Sequence, residues 1–115
     1  MTMNKFNARK VKLPTGEVFD SRKEADRWCQ LKLLERAGKI DGLCRQVRFV
    51  LIPAQIEGGK VVEREVCYVA DFLYHQDGKL IVEDAKGLRR GAAYELFVIK
   101  RKLMRHVHGI RVVEV

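Results

Sequence analysis

Asp77-Gly78 lies between two β-prone runs, "VVEREVCYVADFLY" and "KLIVEDAKG", and limits how this chain can fold more than any other feature. Both central positions of a type I′ turn need positive φ, which Asp-Gly adopts readily, so the dipeptide predicts a two-residue hairpin. Such a turn fixes register. With Gln76 opposite Lys79, Leu73 faces Val82, Phe72 faces Glu83 and Asp71 faces Asp84. Directly opposed residues on antiparallel strands hold their Cβ atoms ~4.5–5.5 Å apart, and like charges there are destabilising. A divalent cation between the carboxylates offsets that repulsion, since Mg²⁺ is typically bound by one or two carboxylates and keeps several waters. Lys86 lies two residues beyond Asp84, on the same face and roughly 6.6 Å further along the strand. The same pattern fits two strands whose acids and lysine simply meet solvent, and at this point both readings stand. Glu83 points to the other face and reads as a solvated or strand-end acid.

The rest of the chain supplies the elements around this hairpin. "ARKVKLPTGEVFDS" predicts a short N-terminal hairpin about Pro14-Thr15-Gly16. Ser21 and Glu24 have capping-box spacing, and a helix runs from them to a stop at Gly38. Residues 45–56 are β-rich, and a Gly58-Gly59 turn leads into the strand that carries Asp71. Counting back through that turn sets Gln46 opposite Asp71, with Pro53 able to bulge the strand. Residues 91–107 predict a second helix, with Leu96, Phe97, Leu103, Met104 and Val107 as its apolar stripe. "GIRVVEV" closes as a strand. The order is helix-strand-strand-strand-helix-strand after the N-terminal hairpin, an α/β pattern that one layer pair would bury as a single domain over residues 1–115.

Two helical residues have competing readings. Glu24 has a sufficient structural role in the capping box, yet it shares a helix face with Trp28 and Leu31 and can point inward with them. Lys100 interrupts the stripe of the second helix, either snorkelling to solvent or sending its ammonium to a phosphate.

Charge points toward a class of partner without fixing it. Lys and Arg number 23 against 15 Asp and Glu, a formal net charge of +8, which favours polyanions such as nucleic acid or an anionic membrane surface. Arg89 and Arg90 at the entrance of the second helix, with Arg101, Lys102 and Arg105 on its outer side, are candidate contacts to a nucleic-acid backbone. No window approaches the ~18 apolar residues of a membrane span, and "MTMNKFNARK" lacks the apolar region of a signal peptide. Cys29, Cys44 and Cys67 are too widely spaced for a zinc site and read as small core residues in a reducing cytoplasm.

The succession of "FDSRKEADRWCQLKLLERAGKI", "YVADF", "VEDAKG" and a basic helix resembles the PD-(D/E)XK nuclease superfamily, more closely a compact phage and prophage branch long catalogued as a domain of unknown function. The likeness covers nearly the whole chain, although Ala70 stands where the motif's proline would be. The resemblance implies a restriction-endonuclease-like core. It implies that Asp71 and Asp84, with Glu24, bind Mg²⁺, for which Mn²⁺ substitutes, and that Lys86 is the catalytic lysine. Gln46 is a neighbour of that site.

The implied activity is metal-dependent endonucleolytic hydrolysis of DNA in the cytoplasm of a bacterial host. Without an evident base-reading element, selection would follow DNA structure, with branched DNA such as the Holliday junction favoured over plain duplex. Cutting two strands would call for a homodimer. The alternatives are a noncatalytic nucleic-acid-binding protein retaining the fold, and an interaction module of a phage replication complex.

Overall fold

The computed structural model describes residues 9–115, so Ala8, the first residue of the expected N-terminal hairpin segment, and the seven residues before it lie outside the described residues. A short hairpin, β1 (Val11–Lys12) and β2 (Val18–Phe19), leads into helix α1 (Arg22–Arg36). The Ser21 hydroxyl oxygen accepts the Glu24 amide at 3.1 Å and starts the helix as its sequence predicts. Strands follow as β3 (Asp41–Ile52), β4 (Gln55–Glu57), β5 (Lys60–Glu63), β6 (Val66–Gln76) and β7 (Lys79–Asp84). Helix α2 (Ala92–His108) then crosses to β8 (Val112–Glu114). Gly109, at φ 68°, ends α2 in the left-handed conformation that glycine tolerates.

The main sheet has the order β3-β6-β7-β8, antiparallel except for the β7–β8 pair. Parallel strands need a long crossover, and α2 provides it. The protein is a mixed α/β structure, but the two segments expected as single strands are each interrupted. Pro53 cannot donate to a ladder, the register shifts between Val50 and Ile52, and β4 and β5 separate as a small hairpin.

The expectation of one layer pair needs correction, because each face of the sheet carries a helix. Ala25 and Leu31 of α1 pack with Phe19, Ile40, Phe72 and Tyr74. Phe97 and Met104 of α2 pack with Leu51, Tyr68, Ala70, Val82 and Val112 on the other side. The apolar stripe of α2 is also rotated from the expected one: Phe97 and Met104 are buried, whereas Leu96 and Val107 face solvent. Lys100, four residues from both exposed Leu96 and buried Met104, is half-buried at the margin of that stripe. Cys29 and Cys44 are exposed and Cys67 half-buried, so the cysteines are not the core residues their size suggested.

Candidate active site

The Asp77-Gly78 turn forms as its chemistry dictates, with φ of 53° and 76°, and sets Gln76 opposite Lys79 through to Phe72 opposite Glu83. There the β6–β7 ladder stops, one pair short of Asp71 and Asp84. Asp71 enters the resulting gap, where its Oδ2 accepts the Ala85 amide at 2.8 Å. The neighbouring β3–β6 ladder has the expected register, with Arg45 opposite Phe72 and Val47 opposite Ala70 flanking Gln46 and Asp71.

At this pair the pleat of both strands inverts. Tyr68 and Phe72 are four residues apart and by period-two alternation should share a face. Instead Tyr68 packs on Phe97 of α2 and Phe72 on Trp28 of α1, at ring separations of 6.2 Å in each case. In β3, likewise, Phe49 packs against the α2 core while Arg45 lies over the Phe19 ring on the α1 side, 4.0 Å from its centroid. Gln46 carries the inversion with a φ of 56°, a left-handed conformation rare for a residue with a Cβ. Such strain concentrates at functional sites.

The inversion and the gap let groups from opposite faces meet. From the α1 side, Glu24 is 5% exposed, and its Oε1 accepts the Gln46 side-chain amide at 3.2 Å. The same amide reaches Asp71 Oδ1 at 3.5 Å, linking acid, amide and acid. From the α2 side, Asp84 Oδ1 pairs with Lys86 Nζ at 2.9 Å while its Oδ2 accepts the Tyr68 hydroxyl at 2.5 Å. The Lys86 ammonium also sits 3.9 Å from the centroid of the Phe97 ring, whose π face attracts it.

Electrostatics reflect three acids in a small volume. Burial and then the charge of Asp84 push Asp71 up to about 7, against the opposing Ala85 amide and Lys86. Burial and then Asp20 raise Glu24 above its ordinary value, with Arg45 opposing. Burial and then Asp84 push the Tyr68 hydroxyl up as well, which keeps it a donor to Asp84.

A hard divalent cation suits this set by chemistry, because every donor is an oxygen and the chain leaves the acids' mutual repulsion only partly offset. Glu24, Asp71 and Asp84 would hold it. With their side chains as they stand, among the described residues, no three His, Cys, Asp or Glu groups are gathered closely enough to hold a metal ion.

The structure thus brings Glu24, Gln46, Asp71, Asp84 and Lys86 together where β6 and β7 part. Arg89, Arg101 and Lys102 line a cleft beside β8, whereas Arg90 and Lys100 are not among its lining residues. Among the described residues, Lys100 has no ion pair with the site's acids.

Glu83 corrects an expectation. It is 2% exposed rather than solvated, and Arg27 clasps it with Nε on Oε1 at 2.8 Å and Nη2 on Oε2 at 2.6 Å. The Tyr74 hydroxyl donates to the same carboxylate. Arg27 follows Glu24 by three residues, one turn along the same helix, so this clasp ties the helix bearing Glu24 to the strand bearing Asp84. Helical spacing was the signal available for it. Three other neighbours were missed. Arg45 Nη2 lies 3.8 Å from Glu24 Oε1, Lys23 Nζ donates to the Lys86 carbonyl at 2.5 Å, and Tyr68 holds Asp84.

The fold and site define a mixed α/β protein with an acid-amide-acid chain and an acid-lysine pair meeting where two strands part. The chain belongs to the family described as "Protein of unknown function (DUF1064)", whose profile matches residues 3–112. Neither a curated protein nor a solved structure matches it.

Proposed function

We propose that this protein is a Mg²⁺-dependent endodeoxyribonuclease of the PD-(D/E)XK superfamily, with a restriction-endonuclease-like core and a preference for branched DNA such as the Holliday junction. The observation that carries the reading is the meeting of Asp71, Asp84 and Lys86 at the parting of β6 and β7, with Glu24 joined through Gln46.

Asp71, Asp84 and Glu24 are the residues that would hold Mg²⁺, and Mn²⁺ would substitute because it prefers the same oxygen donors. Bound there, the metal supplies Lewis acidity toward a phosphate oxygen and lowers the pKa of a coordinated water. The chain's own residues do the positioning. Lys86, steadied by the Phe97 ring and Asp84, presents a fixed ammonium to the charge that develops on the phosphate. Tyr68 keeps the Asp84 carboxylate oriented. Gln46 spaces Glu24 from Asp71. Arg89, Arg90, Lys100, Arg101 and Lys102 supply sequence-independent grip on the backbone.

A second reading, noncatalytic nucleic-acid binding, is favoured by one specific observation. Five of the six carboxylate oxygens of Glu24, Asp71 and Asp84 already have a partner in Gln46, Tyr68, Lys86 or the Ala85 amide. The two readings separate on a panel of four-way junction, linear duplex and single strand, each incubated with Mg²⁺, Mn²⁺ or EDTA. The nuclease reading expects cutting only with metal, fastest on the junction. Binding without cutting in any metal overturns it in favour of the second.

A further inference from the structure

A cleft of about 580 Å³ opens between α2 and β8, and none of Glu24, Asp71 and Asp84 is among its lining residues. Arg89, Arg101, Lys102, Arg105 and Arg111 line it, and the one acid among its lining residues, Glu114, is held by Arg101 at 3.1 Å and by the Tyr94 hydroxyl at 2.8 Å. Four guanidinium or ammonium groups are left with no carboxylate among the lining residues to meet them. Such a concave, one-sign surface concentrates polyanions.

The cleft also has a direction. Glu114 is the register partner of Asp84, so one end of the cleft lies a single strand spacing, ~4.8 Å, from a proposed metal ligand. Arg89, in the connection between β7 and α2, flanks the same end. Arg111 and Arg105 mark the other end, near the start of β8 and the last turn of α2. From Arg111 to Glu114 the strand rises ~10 Å, the axial length of about three phosphates of one strand.

We propose that this cleft takes the sugar-phosphate backbone of the strand running on from the scissile phosphate, so that substrates must continue by about three nucleotides on that side. The inference rests on the nuclease reading for where the cut falls, but the cleft's grip is tested without cleavage.

The test is fluorescence anisotropy of a labelled duplex, in EDTA, across a series of salt concentrations, for the wild type and Arg105→Glu/Arg111→Glu. Both arginines are solvent-exposed, and circular dichroism checks that the variant folds. Lys60→Glu/Arg64→Glu, at the β4–β5 hairpin, makes the same change in net charge elsewhere.

The cleft variant is expected to lose roughly tenfold or more in affinity, with its salt slope shallower by about two, while the hairpin variant stays within about twofold of wild type. Equal losses in both variants, or no loss in either, overturn the cleft. Absence of any nucleic-acid binding by the wild type overturns it too. Cutting by a wild type whose cleft variant binds normally refutes the cleft alone, and cleft-dependent binding without cutting under Mg²⁺ refutes the nuclease alone.

Discussion

Arg27 and Glu83 meet beneath the candidate site in a two-pronged ion pair, both bonds 2.8 Å or shorter, with the carboxylate 2% exposed. Removing one partner of such a pair strands the other charge in the interior, at a cost of about 3–5 kcal/mol. Arg27→Met is therefore expected to destabilise the protein by about 3 kcal/mol in urea unfolding, and Arg27→Met/Glu83→Gln to recover part of that loss. A loss below about 1 kcal/mol for the single variant would mean that the clasp does not tie α1 to β7.

Acidity at Asp71 gives stability a definite slope in the metal-free protein. The group sits at about 7 in the folded chain against 3.8 ordinarily, so between those values the folded state holds a proton that the unfolded state has released. Its contribution is present at low pH and is lost as pH rises toward and through 7. Asp71→Asn removes this term. In EDTA, the variant should gain stability relative to wild type from about pH 5 to about pH 8, as read from unfolding midpoints. A difference that stays flat with pH contradicts the assignment.

Cation binding follows from the same proton. In the proposed metal site a divalent ion would displace it, so Mn²⁺ should bind more tightly as pH rises through the titration of Asp71. At a hundred times its dissociation constant it should raise the stability of the wild type by about 2.7 kcal/mol. Differential scanning calorimetry with and without Mn²⁺ is the check, and Asp84→Ala should lose most of the increment.

Gln46 combines a strained backbone with a bridging side chain. Glycine pays no Cβ penalty in the left-handed region, so Gln46→Gly should be more stable than Gln46→Ala by roughly 1 kcal/mol. Both remove the amide between Glu24 and Asp71, and both should lower cleavage similarly if the bridge matters for the reaction. Equal stability of the two variants would mean that the left-handed conformation is not kept in solution.

Features governed by local chemistry were legible in the sequence. Asp77-Gly78 set the hairpin register by φ alone, Ser21 marked the start of α1, and the Gly58-Gly59 count correctly set Gln46 against Asp71 despite the break at Pro53. What escaped depends on tertiary cover. Glu83 reads as solvated until α1 is seen lying on that face with Arg27 above it. Leu96 and Phe97 are equally apolar, and only the position of the sheet decides which of them is buried. The pleat inversion at Gln46 has no compositional mark, because glutamine is not a residue that advertises positive φ.

One comparison tests the central claim most directly: cleavage and binding of a labelled four-way junction by wild type and Asp84→Ala, side by side, with Mg²⁺ and with EDTA. The account predicts that the wild type cuts only with Mg²⁺, and that the variant loses cutting by at least about a hundredfold while binding the junction in EDTA as tightly as wild type. Equal cutting by both proteins, or binding by both with no cutting at all, would contradict it.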